Sequence, residues 1–314
     1  MKRVTMNYAV FPRAQWKTLG TPNPAIDKVD LDAAFLAQIK AFNDQISMGD
    51  VREIYVPLVK YIMLRYRQYL RDRDERQFFL DEASVASPFV IGIAGSVAVG
   101  KTTTAQLLQY LLQQVYGKEN VNLTTTDGFL RSNADLAAAG LSQRKGFPES
   151  YDMPALLRFL DAIKDGAAQV SAPVYSHDIS DVLAGETETF KRPKIFIIEG
   201  INTLQASPSS PVYLADYFDF SIYLDAETDL IEHWYLDRFV ALLKKTAQAN
   251  DPENYFYQWT KMPLEEALNR AKEVFEEINL PNLNHYILPT RERADLILHK
   301  TVGHIIDQVW LRKF

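Results

Sequence analysis

The residues Gly95, Ser96, Val97, Ala98, Val99, Gly100, Lys101, Thr102 and Thr103 include no carboxylate, imidazole or thiol, yet their spacing points to a specific chemistry. They satisfy the pattern G-x-x-x-x-G-K-[ST] between an apolar run and a helix-like run. Two glycines let backbone N–H groups turn inward around phosphate oxygens, and the N-terminus of the following helix adds positive potential. In such a loop the Lys101 ammonium reaches β- and γ-phosphates and the Thr102 hydroxyl meets Mg²⁺. The segment is predicted to bind a nucleoside triphosphate.

A triphosphate loop alone does not separate a kinase from a GTPase switch or a motor. Asp127 closes the strand-like run TTTDGF, which would bring its carboxylate to the carboxyl edge of a sheet, where open α/β folds bind ligands. There it could accept the proton of an attacking hydroxyl, or simply cap a turn before Gly128. Glu199 ends KIFIIEG in the same way, as a magnesium partner or as a solvated strand end. In HWYLDRFVALLKK, Tyr235, Arg238, Phe239 and Leu242 recur at helical spacing. Such a stripe is ordinarily core, but a guanidinium on it needs an anion, and a phosphate supplies one. NYFYQWT holds four aromatics between Tyr255 and Trp259, as core or as an apolar cover over a small organic substrate. His177, in PVYSHDISD, reads as a base, a polar contact or a structural histidine; no second histidine stands at metal-ligand spacing from it.

The elements that must position these groups alternate. Residues from about 30 to 87 repeat apolar positions every three or four residues, as helices do. From PFVIGIAG onward, strand-like runs (VNLTTTD, KIFIIEG, FDFSIYLD, ADLILHK) are separated by helical patterns such as KTTTAQLLQYLLQQV and MPALLRFLDAIKDG. That pitch predicts an α/β fold: a doubly wound, mostly parallel sheet bearing the P-loop, with an N-terminal helical extension over 1–87 packed on a core over 88–314. ASPSSPV is the most loop-like piece.

Composition narrows the partners. The 314 residues carry a net charge of −6, which argues against a general nucleic-acid binder, and contain no cysteine, which excludes disulfides and thiolate chemistry. The basic start MKRVTMNYAVFP lacks a long apolar run, and no stretch suggests a membrane span, so a soluble cytoplasmic protein is expected.

The segments IAGSVAVGKTTTA, TTDGFL, KGFPESYDM, APVYSHDISDV, IIEGINTLQ, WYLDRF and ILPTRERADLIL together resemble the prokaryotic type I pantothenate kinases, from about residue 10 onward. KGFPESYDM and PTRERADLIL separate this family from uridine kinases and phosphoribulokinases, which share the loop and the DGF. The resemblance implies a phosphoribulokinase/uridine kinase-like fold, usually a homodimer, that moves the γ-phosphoryl group of ATP to the primary hydroxyl of pantothenate, with coenzyme A as feedback inhibitor. It implies Asp127 as the base, Lys101 and Arg238 as neutralising charges, and Mg²⁺ on Thr102 and Glu199. Tyr175, His177, Tyr235, Phe239, Phe256 and Asn279 match the pantothenate pocket, Asn43 and His304 flank the adenine, and Lys145 lies near the phosphates. Two positions depart from the family pattern: Gln106 replaces an arginine that helps hold coenzyme A phosphates, and Leu242 replaces a common pocket phenylalanine. The competing readings are a uridine or ribulose 5-phosphate kinase and a nucleotide-dependent regulatory switch. The aromatic run favours neither a pyrimidine edge nor a sugar phosphate, and the chain lacks the N-K-x-D segment of a guanine-reading switch.

Overall fold

The computed structural model describes residues 7–27, 35, 36, 39, 45–81, 86–205 and 213–314. Asn43, most of the expected helix in the thirties and the ASPSSPV loop lie outside these residues.

The apolar runs become strands because each is short, rich in β-branched and aromatic residues, and covered on both faces. They are β1 (Tyr8–Pro12), β2 (Phe89–Gly95), β3 (Val121–Thr125), β6 (Ile195–Glu199), β7 (Phe220–Asp225), β8 (Leu296–Lys300) and β9 (Ile306–Arg312), with β4 (Val170–Ser176) and β5 (Asp181–Phe190) forming a separate antiparallel hairpin. The main sheet runs β1-β9-β8-β7-β2-β6-β3. From β8 to β3 neighbouring strands are parallel, and β9 and β1 are antiparallel at one edge.

Alternate residues of the central strands feed two different cores. Ile91, Ile93, Ile195 and Ile197 join the core beneath the helices Val56–Leu80 and Lys101–Tyr116. Val90, Phe196 and Ile198 join the one under the helix Met153–Lys164, with Phe129, Phe159 and Phe190 edge-on or tilted against one another. This two-sided burial is the doubly wound arrangement expected from the alternation of strand and helix.

The N-terminal segment is not helical throughout. Residues 8–12 pair with β9, from Tyr8 opposite Arg312 to Pro12 opposite Gln308. Pro12 is tolerated because this strand is paired on one side only in the described sheet, so its missing N–H breaks no second ladder. The same segment grips the start of the long helix: Arg13 pairs with Asp50 and Glu53 at 2.6 Å each, and Trp16 Nε1 donates to Ile54 O at 3.0 Å. Tyr55 then meets Thr104 of the P-loop helix at 3.0 Å, which ties the N-terminal helices to the loop. Among the described residues, no helix is long and apolar enough to cross a membrane.

Candidate active site

The carboxyl ends of β2, β3 and β6 open onto one region. β2 ends at Gly95, and the helix Lys101–Tyr116 begins directly after the loop. Gly100 precedes it with φ +93°, a conformation strained for any residue with a Cβ, and Ala98 sits at φ +56°. Lys101 Nζ donates to Ser96 O at 2.9 Å, so the ammonium is turned inward over its own loop. Burial pulls its pKa below the ordinary lysine value, Glu199 and Asp127 oppose that shift, and Arg238 adds to it. Thr102 Oγ1 donates to Glu199 Oε1 at 2.8 Å. Glu199 is the last residue of β6 and is buried; burial raises its pKa and the Lys101 charge counteracts this. Thr103 is buried in the first turn of the helix.

Asp127 lies in the turn Thr126–Phe129 after β3, with its backbone N–H held by Thr125 Oγ1 at 3.2 Å. The hairpin passes directly over this turn. A Cβ on Gly128 would lie 2.2 Å from Pro173 O, so only glycine admits β4 at that approach. β4 carries Tyr175 near its end and leads to His177, and the two rings meet edge-on at 5.2 Å. Burial lowers the His177 pKa below the ordinary 6.5, with Asp127 opposing and Arg238 reinforcing, which favours a neutral imidazole at neutral pH. Burial pushes the Tyr175 hydroxyl up to about 12, and this hydroxyl bonds Ser180 Oγ at 3.1 Å. Lys145 docks onto the same turn: it donates to Ser180 O and to Asn133 Oδ1 at 2.8 Å, with its ammonium 5.4 Å from the Tyr175 ring centre.

On the other side of the loop, the helix Thr228–Ala249 presents Tyr235, Arg238, Phe239 and Leu242 to a cavity of about 210 Å³. Val97 and Ala98 of the loop form one wall, and Tyr255, Phe256 and Trp259 form another. The aromatic run is therefore both core and lining: Phe239 is buried with Leu243 and Ala271, while its ring packs edge-on with Phe256 and Trp259 at 6.1 and 5.5 Å. Burial raises the Tyr235 hydroxyl to about 12, and Asn279 hydrogen-bonds it. Asn279 closes a widened helical turn, Phe275–Asn279, a type of irregularity common at functional sites. Arg238 makes no ion pair with a carboxylate among the described residues, which leaves its charge available to an anion.

His304 is buried near the end of β8 and stacks on Trp234 at 4.0 Å, next to a cavity of about 690 Å³ lined by Gln45, Gly303 and Arg13. Asn43 lies outside the described residues. The structure thus gathers Lys101, Thr102, Glu199, Asp127, Arg238 and His177, and places Tyr235 on the adjoining cavity with Asn279 at its hydroxyl.

Three residues that the sequence reading did not single out also hold the site. Lys300, the last residue of β8, is buried and donates to Val99 O at 2.8 Å, which clasps the loop from the side. Asn202 accepts from Thr126 Oγ1 at 2.7 Å, joining the β6 end to the Asp127 turn. Arg291 forms a buried pair with Asp225 at the end of β7, at 3.2 Å. The strand-end positions of Lys300 and Asp225 were the available signal. Among the described residues, no group of three or more histidine or acidic side chains gathers to hold a metal. Thr102 and Glu199 offer two adjacent oxygens. That suits a hard cation such as Mg²⁺, which takes few protein ligands beside phosphates and water.

The phosphoribulokinase/uridine kinase family model matches residues 90–242. A pantothenate kinase of Lactiplantibacillus plantarum is 50% identical over 309 residues, 98% of this chain and 99% of the relative. One of Enterococcus faecalis is likewise 50% identical over 98% of this chain and 99% of its own length. The chain belongs to the pantothenate kinase family. In fold, this pantothenate kinase family member also matches a solved D-glycerate 3-kinase of Cryptococcus neoformans with a TM-score of 0.53 at 14% identity, covering 79% of this chain and 97% of that one.

Proposed function

We propose that the protein transfers the γ-phosphoryl group of ATP to the primary hydroxyl of pantothenate, giving 4′-phosphopantothenate and ADP, the step that opens coenzyme A synthesis. The observation that carries this reading is the junction of two half-sites. Arg238, whose charge acts on Lys101 together with that of Asp127, lines a small cavity whose walls are largely aromatic and which also includes Val97 and Ala98 of the phosphate loop. A dimethyl-bearing acid amide needs such a cavity.

Phosphoryl transfer depends chiefly on positioning and charge. Asp127 accepts the proton of the attacking hydroxyl, and Lys101 and Arg238 offset the charge that develops on the phosphoryl oxygens. Thr102 and Glu199 would hold Mg²⁺, which would supply positive charge to neutralise the phosphates. Tyr175, His177, Tyr235, Phe239, Phe256 and Asn279 contact pantothenate, with neutral His177 serving as a hydrogen-bonding group. His304 flanks the adenine, where the Trp234 ring backs the imidazole. Lys145 orders the His177 turn beside the phosphates. The enzyme acts in the cytoplasm as a homodimer, and coenzyme A inhibits it.

Gln106 sits one turn into the P-loop helix, half-buried and neutral. Coenzyme A therefore loses an ion pair that an arginine would supply, and its inhibition is weak.

ADP release with Mg·ATP is expected to depend on added pantothenate, with uridine and ribulose 5-phosphate inert. Turnover with either of those would move the substrate assignment, and hydrolysis indifferent to every acceptor would favour a switch. Lys101→Met abolishes pantothenate-dependent ADP release. Asp127→Ala lowers kcat by about 10²–10⁴ while ATP binding measured by calorimetry is kept; unchanged turnover would remove Asp127 from the chemistry. Gln106→Arg tightens coenzyme A inhibition by roughly tenfold or more, read as the inhibition constant against ATP. Equal inhibition of the two proteins would refute the role given to Gln106.

A further inference from the structure

Tyr151 ends the KGFPESY stretch and is pinned beside the Asp127 turn by its backbone neighbours. Arg131 N donates to Ser150 O and Asp152 N donates to Phe129 O, each at 2.8 Å, so residues 150–152 run antiparallel against 129–131. The stretch before it is equally fixed: Ser150 Oγ accepts from Gly146 N at 2.9 Å, and Asn282 Nδ2 donates to Gly146 O at 2.9 Å. The Tyr151 side chain is 3% exposed, and its hydroxyl is sealed from solvent with no hydrogen-bond partner. The Thr126 hydroxyl lies near it but outside regular hydrogen-bonding geometry, and already donates to Asn202. A buried hydroxyl without a partner is costly and rare, so its retention calls for a reason.

Burial pushes the hydroxyl well above its ordinary value of 10, and the charges of Asp127, Tyr175 and Glu199 push the same way. It is therefore a neutral donor at neutral pH. Glu199 is engaged by Thr102, and the Tyr175 hydroxyl by Ser180. Among the described residues, no side chain donates to the Asp127 carboxylate, which is part-exposed and free to turn. An unpartnered donor is thus pinned against the segment that directly follows the Asp127 turn, whose carboxylate no described side chain holds.

We propose that Tyr151 is a positioning residue for phosphoryl transfer: in the loaded site its hydroxyl donates to one carboxylate oxygen of Asp127, leaving the other aimed at the acceptor hydroxyl. The inference rests on the kinase reading above and adds a residue to it. The bond holds Asp127 in one rotamer, which matters because small misplacements of a base cost rate steeply. It touches neither the nucleotide nor the acceptor, so affinity for both is preserved.

The test compares full-length wild type, Tyr151→Phe, Asp127→Asn and the double variant, each assayed with the acceptor that wild type turns over. Tyr151→Phe is expected to lose roughly 10- to 100-fold in kcat, with KM for ATP and acceptor within about threefold of wild type. Its melting temperature holds or rises, because the atom removed had no partner. In the Asp127→Asn background the same change costs little further, since the carboxylate it serves is gone. A wild-type kcat in Tyr151→Phe overturns the proposal. So does an undiminished loss in the Asp127→Asn background, or a lowered melting temperature with KM and kcat degraded together, which marks a packing role. Wild-type turnover of another acceptor moves the substrate and leaves this comparison intact, whereas no acceptor-dependent turnover at all overturns the kinase reading and Tyr151's role with it.

Discussion

Lys101 and Glu199 set the terms for everything around them. One is an ammonium turned inward at the end of β2, the other a carboxylate buried at the end of the neighbouring β6. Burial drives each toward its neutral form, and each is the main charge opposing that drift in the other. Removing either leaves the other without its counter-charge, and such a loss is far costlier than the pair itself is stabilising. Asp127 and Arg238 complete a balanced set of two positive and two negative groups. A polyphosphate added to that set favours the charged lysine and calls for a cation beside Glu199.

The parallel sheet makes this concentration of charge possible. Strands β2, β3, β6, β7 and β8 all finish on one side, and at or just past their ends stand the P-loop, Asp127, Glu199, Asp225 and Lys300. Nothing polar of this kind interrupts the middle of β2 or β6, where every residue is buried. The apolar strand bodies supply the stability of a core packed on both faces, and the ends carry the groups that a core cannot accept. The His177 turn then joins the two flanks. Lys145 and Asn133 hold it on one side, and on the other Tyr255 N donates to Asp178 O at 2.7 Å. One turn therefore ties the aromatic wall to the phosphate side.

What was legible in the sequence divides along physical lines. The P-loop could be read because its function needs contiguous residues, and Asp127 and Glu199 because a strand end fixes where a side chain emerges. Tyr235, Arg238, Phe239 and Leu242 could be read because helical spacing puts them on one face, and the cavity collects them there. β1 was missed, since five residues closed by a proline carry little periodicity. The hairpin was missed because most of β5 is exposed and polar, so its pairing leaves no apolar signal. For Lys300 only its strand-end position was legible; its contact with Val99 spans 201 positions, and only the closed sheet brings the two together.

The unsatisfied polar atoms follow the same division. The Tyr151 hydroxyl, the indole N–H of Trp259 and the Arg291 Nε are all buried without partners, and each belongs to the carboxyl edge or to the cavity wall beside it. In the core built on Ile91, Ile93, Ile197 and Ile222, polar atoms such as the Tyr8 hydroxyl, the Trp16 indole N–H and the Tyr55 hydroxyl have hydrogen-bond partners. A sequence selected for stability alone would trim unpartnered atoms, since a phenylalanine in place of an unpaired tyrosine removes a desolvation cost of about 1–3 kcal/mol. Their clustering at one end of the sheet means that the fold tolerates local instability where chemistry is done and offsets it in the two cores beneath.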